Sequence, residues 1–188
     1  MNDISSNTKL QNPTSVNSTN KESNENLFLI GFMGAGKSTI ARYLKEKAGF
    51  DLIEMDSQIE QDTNMKISEI FDQFGEEHFR KLETDLISEI SPNQGYVISC
   101  GGGVAMSQVN VEAMKKAGKV ILLNAKPETI YERVKDNHDR PLLENSKTVE
   151  YISQLIEKRR PYYLAAADQI VETDDKDVEM ICQEILKI

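Results

Sequence analysis

The sequence predicts an α/β fold: a three-layer αβα arrangement in which a five-stranded parallel sheet lies between two layers of helices. Two patterns predict it. Short, mostly apolar runs recur at residues 27–30, 50–55, 96–100, 120–123 and 169–172, as strands covered on both faces require. Between them stand segments with apolar residues three and four apart, the spacing of amphipathic helices. Strands alternating with helices build parallel sheets. In such sheets ligands bind beyond the carboxyl ends of the strands, which directs attention to the residues after 30, 55, 100, 123 and 172.

Residues 27–30 form the first predicted strand. A helix over 38–47 follows, with Ile40 and Leu44 four apart and Gly49 placed to end it. Residues 50–55 read as the second strand, and 68–74 and 76–90 as helices. In the second of these, Phe79, Leu82, Leu86 and Ile90 make one apolar stripe. The third strand is 96–100. Ser107 is placed to cap a helix running to 116, ended by Gly118. The fourth strand is 120–123, and Pro127 suits the first turn of a helix to 135. Residues 136–146 are polar without a period and read as a loop. A helix over 148–167 with a bend near Pro161, a fifth strand at 169–172, and a helix over 177–186 capped by Asp174 and Asp175 complete the chain. Residues 1–26, fifteen of them Asn, Ser or Thr, cannot bury enough apolar surface to offset their ordering entropy. They read as a disordered tail, leaving 27–188 as a single domain.

Composition narrows the function. The chain has 188 residues, 22 Lys and Arg against 31 Asp and Glu, and a net charge of −9. An acidic chain is a poor match for broad nucleic-acid binding, so an anionic ligand must be held by a local cluster of donors. No run of about 18 apolar residues predicts a membrane span, and residues 1–26 lack the apolar stretch of a secretory signal. Two cysteines, Cys100 and Cys182, are too few for a disulfide scaffold, so a reduced, cytoplasmic setting and buried thiols are expected.

Directly after the first strand stands Gly31-Phe-Met-Gly34-Ala35-Gly36-Lys37-Ser38-Thr39. It matches the phosphate-binding loop G-x-x-x-x-G-K-[ST] in the strand–helix context that the motif needs. Its glycines let backbone N–H groups turn toward phosphate, and the helix N-terminus adds partial positive charge. Lys37 reaches the β- and γ-phosphates, and Ser38 offers a hydroxyl to Mg²⁺. ATP or GTP binding follows, and the small size favours a small-molecule kinase.

The acceptor side is read from several short segments. Glu54 and Asp56, two apart in an extended strand, share a face; one suits a Mg²⁺-bound water, the other a hydroxyl proton. Arg80 lies at the border of an apolar stripe with Glu83 three residues on to orient it, which preorganises it for a carboxylate. Gly101, Gly102 and Gly103 beyond the third strand allow a ligand close to the backbone, and Ser99 is placed to touch a metal-bound water. Residues 136–146, with Arg140, suit a lid over the phosphates. Arg159 offers a second guanidinium. His78 and His138 read as surface residues.

The order of GFMGAGKST, Asp56, FRKLE, the triple glycine, RPLL and RRPYY closely resembles the shikimate kinase family, over about residues 27–172. The resemblance implies the nucleoside-monophosphate-kinase-like P-loop fold. It implies transfer of the ATP γ-phosphoryl group to the 3-hydroxyl of shikimate by a monomeric cytoplasmic enzyme of aromatic amino-acid biosynthesis, with Mg²⁺ required. It further implies that Asp56 binds ring hydroxyls and acts as base, that Arg80 and Arg159 clamp the carboxylate, and that Gly102 contacts shikimate. Arg140 would be the lid arginine and Arg133 would lie near adenine. Glu54 departs from the Asp that many members carry in a metal-associated pair. Lys176 stands where some members carry an Arg beside adenine. Two other readings share the phosphate loop: a kinase of another small acceptor such as gluconate or a nucleoside monophosphate, and a nucleotide-binding regulatory module without catalysis.

Overall fold

The computed structural model describes residues 24–135 and 148–187. Five parallel strands form one sheet in the order β2-β3-β1-β4-β5. They are β1 (Asn26–Ile30), β2 (Asp51–Glu54), β3 (Tyr96–Ser99), β4 (Gly118–Asn124) and β5 (Gln169–Glu172). Side chains of β1 alternate between two cores, because successive residues of a strand point to opposite faces. Phe28 and Ile30 join Ile98, Val120 and Leu122 on one face. Leu27 and Leu29 join Val97, Ile121, Leu123 and Val171 on the other.

Seven helices cover the described part of the sheet: α1 (Lys37–Ala48), α2 (Met55–Thr63), α3 (Ile67–Ser88), α4 (Gln108–Ala117), α5 (Pro127–Val134), α6 (Val149–Ala166) and α7 (Val178–Leu186). Ile40, Leu44, Ile181 and Ile185 place α1 and α7 on the face of Leu27 and Leu29. Met114, Ile130, Ile152 and Tyr163 bring α4, α5 and α6 to the other. α1 ends at Gly49, whose φ of 75° is left-handed, as helix C-termini favour. α3 is broken at Gly75, with φ 80° and ψ 173°, which accounts for the two predicted helices.

Four expectations need correction. The second strand stops at Glu54, and Met55 opens α2, which the apolar pattern did not reveal; its buried residues are only Met55 and Ile59. β1 begins at Asn26, one residue inside the segment read as tail, because the Asn26 side chain is wholly buried and hydrogen-bonded. The last helix is capped by Asp177, which accepts from Met180 N–H at 2.8 Å. Asp174 instead accepts from Lys126 N–H, and Asp175 has a φ of 56°. Ser107 precedes α4 without a side-chain capping bond. Residues 1–23 of the expected tail and the expected lid, with His138 and Arg140, lie outside the described residues. No helix among the described residues is long and apolar enough to cross a membrane.

Candidate active site

The carboxyl ends of β1, β2 and β3 border a cavity of about 310 Å³, lined by the phosphate loop, Glu54, Asp56 and the segment 99–102. β1 lies in the middle of the sheet, and its loop turns directly into α1. Gly31, Gly34 and Gly36 have φ of 141°, 79° and 98°, values that only glycine adopts cheaply. The Lys37 ammonium donates to the Gly31 and Phe32 carbonyls at 2.9 and 3.1 Å, which holds it across its own loop. The Ser38 hydroxyl lies 3.3 Å from that of Ser99. Thr39 and Arg133 also line the cavity.

Arg133 reaches from α5. Its guanidinium donates to the Gly34 carbonyl at 3.2 Å and to the Thr173 carbonyl at 3.3 Å. It therefore ties the phosphate loop to the end of β5. Lys176 is bonded to Glu184 on α7.

Glu54 and Asp56 both line the cavity, but not as two residues on one strand face. Glu54 ends β2 and precedes α2, while Asp56 sits in the first turn of α2. An acidic residue there is favoured by the helix dipole. The Glu54 carboxylate accepts from Arg42 Nε and Nη2, both at 2.8 Å. Arg42 lies one turn beyond Ser38 on α1.

The triple glycine brings the remaining groups together by leaving room for them. A Cβ on Gly101 would stand 2.5 Å from Glu83 Oε1 and 3.3 Å from Asp56 Oδ1. A Cβ on Gly103 would run into the Arg80 guanidinium, and one on Gly102 would stand 3.7 Å from Arg159 Nη1. Arg80 donates to Glu83 Oε2 at 2.7 Å and to Glu76 Oε1 at 2.8 Å. Glu83 is fully buried, and its Oε1 has no hydrogen-bond partner among the described residues. Burial raises its pKa above the ordinary carboxylate value, against the pull of Arg80. Arg159 lies over the Phe32 ring at 5.7 Å and donates to the Gly102 carbonyl at 3.4 Å. Tyr163, one turn further along α6, donates to the same oxygen at 2.7 Å.

Two hydroxyls at a helix N-terminus and two carboxylates along one cavity wall are hard oxygen donors, the kind Mg²⁺ selects. Among the described residues no group of three or more His, Cys, Asp or Glu is placed to hold a metal. Cys100 and Cys182 are buried. Burial pushes the Cys100 thiol up, and that of Cys182 up to about 12, so both behave as small apolar groups.

Residues 33–188 match the family model described as shikimate kinase. The chain belongs to the shikimate kinase family. A family member from Thermodesulfovibrio yellowstonii is 40% identical over 163 residues, which cover 87% of this chain and 94% of that protein. Among solved structures, shikimate kinase from Acinetobacter baumannii in complex with shikimate is similar at 32% identity and a TM-score of 0.80, covering 87% of this chain and 91% of that one. The Aquifex aeolicus shikimate kinase is similar at 33% identity and a TM-score of 0.73, covering 86% and 94%. Membership makes this chain an ATP-dependent kinase whose acceptor is shikimate. The phosphate loop, Asp56, Gly101 and Gly102 line one cavity, while Arg80 and Arg159 stand outside its lining, against Gly103 and Gly102. Sequence reasoning overlooked Tyr163 and Arg42. The RRPYY segment held the signal for Tyr163, since a Tyr four residues after Arg159 shares its helix face.

Proposed function

We propose that this cavity positions ATP and shikimate so that the γ-phosphoryl group passes to the 3-hydroxyl, giving shikimate 3-phosphate and ADP for aromatic amino-acid biosynthesis. One observation carries the assignment of residues: the triple glycine seats Asp56, Arg80 and Arg159 around the end of β3, beside the phosphate loop. An acceptor held there has the guanidiniums of Arg80 and Arg159 beside Gly103 and Gly102, and the Asp56 carboxylate beside Gly101.

On this reading Gly34, Ala35, Gly36, Ser38 and Thr39 cradle the phosphates through backbone N–H groups. Lys37 leaves the Gly31 and Phe32 carbonyls for the β- and γ-phosphates. Arg80 and Arg159 hold the shikimate carboxylate, and Gly101, Gly102 and Gly103 border the ring. Asp56 accepts hydrogen bonds from ring hydroxyls and takes the proton of the attacking one. Arg133 supports the loop beside the adenine. Arg140, on the expected lid 136–146, completes the phosphate contacts. Mg²⁺ would be held by Ser38, with Glu54 acting through water, and would neutralise charge on the β- and γ-phosphates. Most of the rate then comes from positioning and electrostatics.

The catalytic domain, with Asn26 at the start of β1 included, acts as a monomer in the cytoplasm on small molecules, with the residues before it as a tail outside the catalytic unit. The acidic net charge supports the absence of a nucleic-acid partner. A coupled ADP-release assay with ATP and Mg²⁺ tests the assignment, run with shikimate, with gluconate and with no acceptor. ADP release only with shikimate is expected; release with gluconate alone would overturn the acceptor assignment.

A further inference from the structure

We propose that Tyr163 is a positioning residue for the acceptor: its hydroxyl holds the Gly102 carbonyl in place so that Arg159 is released to grip a carboxylate. The inference rests on the clamp reading of Arg159 above. Tyr163 and Arg159 are four residues apart on α6 and so share a face. Both donate to one oxygen, the hydroxyl at 2.7 Å and the guanidinium at 3.4 Å. The first is at the preferred distance for a hydroxyl donor; the second is beyond the range of a good N–H bond.

The two contacts therefore do different things. The Gly102 carbonyl is half-buried at the cavity edge, and losing its short donor costs about as much as a lost hydrogen bond. Tyr163 itself is 4% exposed, so its hydroxyl is held against that oxygen by the packing of its ring. With its short bond made, Arg159 exchanges a long contact for a charge-assisted bond to a carboxylate and leaves no acceptor unsatisfied. Burial raises the Tyr163 pKa above its ordinary value, so the hydroxyl remains a donor at neutral pH. The peptide it holds is central to the site. Gly102 lines the cavity and Gly103 makes room for Arg80. The peptide unit is planar, so fixing the Gly102 carbonyl also fixes the direction of the Gly103 N–H and keeps that backbone between the two guanidiniums.

Tyr163→Phe removes the hydroxyl and keeps the ring that packs in the core. Calorimetric Kd for shikimate, KM for each substrate, kcat and the thermal midpoint would be compared for wild type, Tyr163→Phe and Arg159→Ala. The expected result for Tyr163→Phe is a roughly tenfold weaker shikimate Kd, the scale of one lost hydrogen bond, with KM for ATP unchanged. Unchanged shikimate affinity in Tyr163→Phe, beside a weakened Arg159→Ala, overturns the proposal and leaves the clamp reading standing. Unchanged affinity in Arg159→Ala overturns the clamp reading itself. Equal losses for ATP and shikimate, with a lowered thermal midpoint, reduce Tyr163 to a structural group and also overturn the proposal.

Discussion

Asp56, Arg80 and Glu83 lie close together around Gly101 and Gly103, yet their surroundings give each a different task. Asp56 is exposed to the cavity in the first turn of α2, and the proposed reading makes it the acceptor of the hydroxyl proton. Asp56→Asn keeps the shape and removes that capacity. Turnover is expected to fall on the order of 10²–10⁴-fold, the contribution of a general base, with calorimetric ATP affinity intact; near-normal turnover would remove Asp56 from the chemistry. Arg80 is tied to two glutamates, so its guanidinium is held in one orientation. Arg80→Ala is expected to cost about 1.5–3 kcal/mol of shikimate binding, seen as a KM roughly ten- to a hundredfold higher. An unchanged KM would take Arg80 out of the clamp. Glu83 is buried, and desolvation raises its pKa above the ordinary 4.5. The native state then binds more protons than the unfolded chain in the window above 4.5, so this group's contribution to stability falls as pH rises through that window. Glu83→Gln does not titrate. Its stability relative to wild type is expected to increase from pH 4.5 towards neutrality in denaturant titrations; parallel curves would show an ordinary pKa at Glu83.

At the scale of elements, the strand–loop–helix unit of β1 and α1 is the part most legible in the sequence. Its glycines recur at motif spacing, and its helix has an apolar stripe. Gly31 shows why the motif begins where it does: its φ is 141°, and a Cβ there would collide with the Leu123 carbonyl oxygen of β4. Gly31→Ala is expected to destabilise the fold by about 1–3 kcal/mol, the cost of such strain, and to weaken ADP binding measured by calorimetry; wild-type values in both would separate the loop geometry from nucleotide binding. α2 was illegible because a nine-residue helix with two buried residues has almost no period to detect. That omission moved Asp56 from a strand to a helix without moving it from the cavity, because β2 ends at the cavity rim and α2 starts there. The last helix shows a different limit. Asp174, Asp175 and Asp177 all have the chemistry of an N-cap, and only the path of the chain after β5 selects Asp177.

At the scale of the whole molecule, the sheet order places β1 between β3 and β4, with apolar cores on both faces. One buried polar residue helps close it. Asn26 donates to the Ser91 and Ala117 carbonyls and accepts from the Gln94 and Tyr96 N–H groups, so it joins the starts of β1 and β3 to the end of α4. Asn26→Ala leaves those four backbone groups without that partner. The expected loss is about 2–4 kcal/mol, read as a drop of several degrees in Tm; a Tm equal to wild type would show that the backbone finds other partners. In the sequence Asn26 belongs to an Asn-rich run, where a polar side chain carries no sign of burial.

The sequence by itself determined the parallel α/β class, the phosphate loop and the family, because apolar periodicity and motif spacing are local and survive without coordinates. Tertiary structure decided what each of those residues touches. Only packing shows that the three glycines are seats for Asp56, Glu83, Arg159 and Arg80, that Glu54 is engaged by Arg42, and that Arg133 ties the phosphate loop to β5. These contacts join residues far apart along the chain, and the distances and desolvation that set their energies arise only when the layers close.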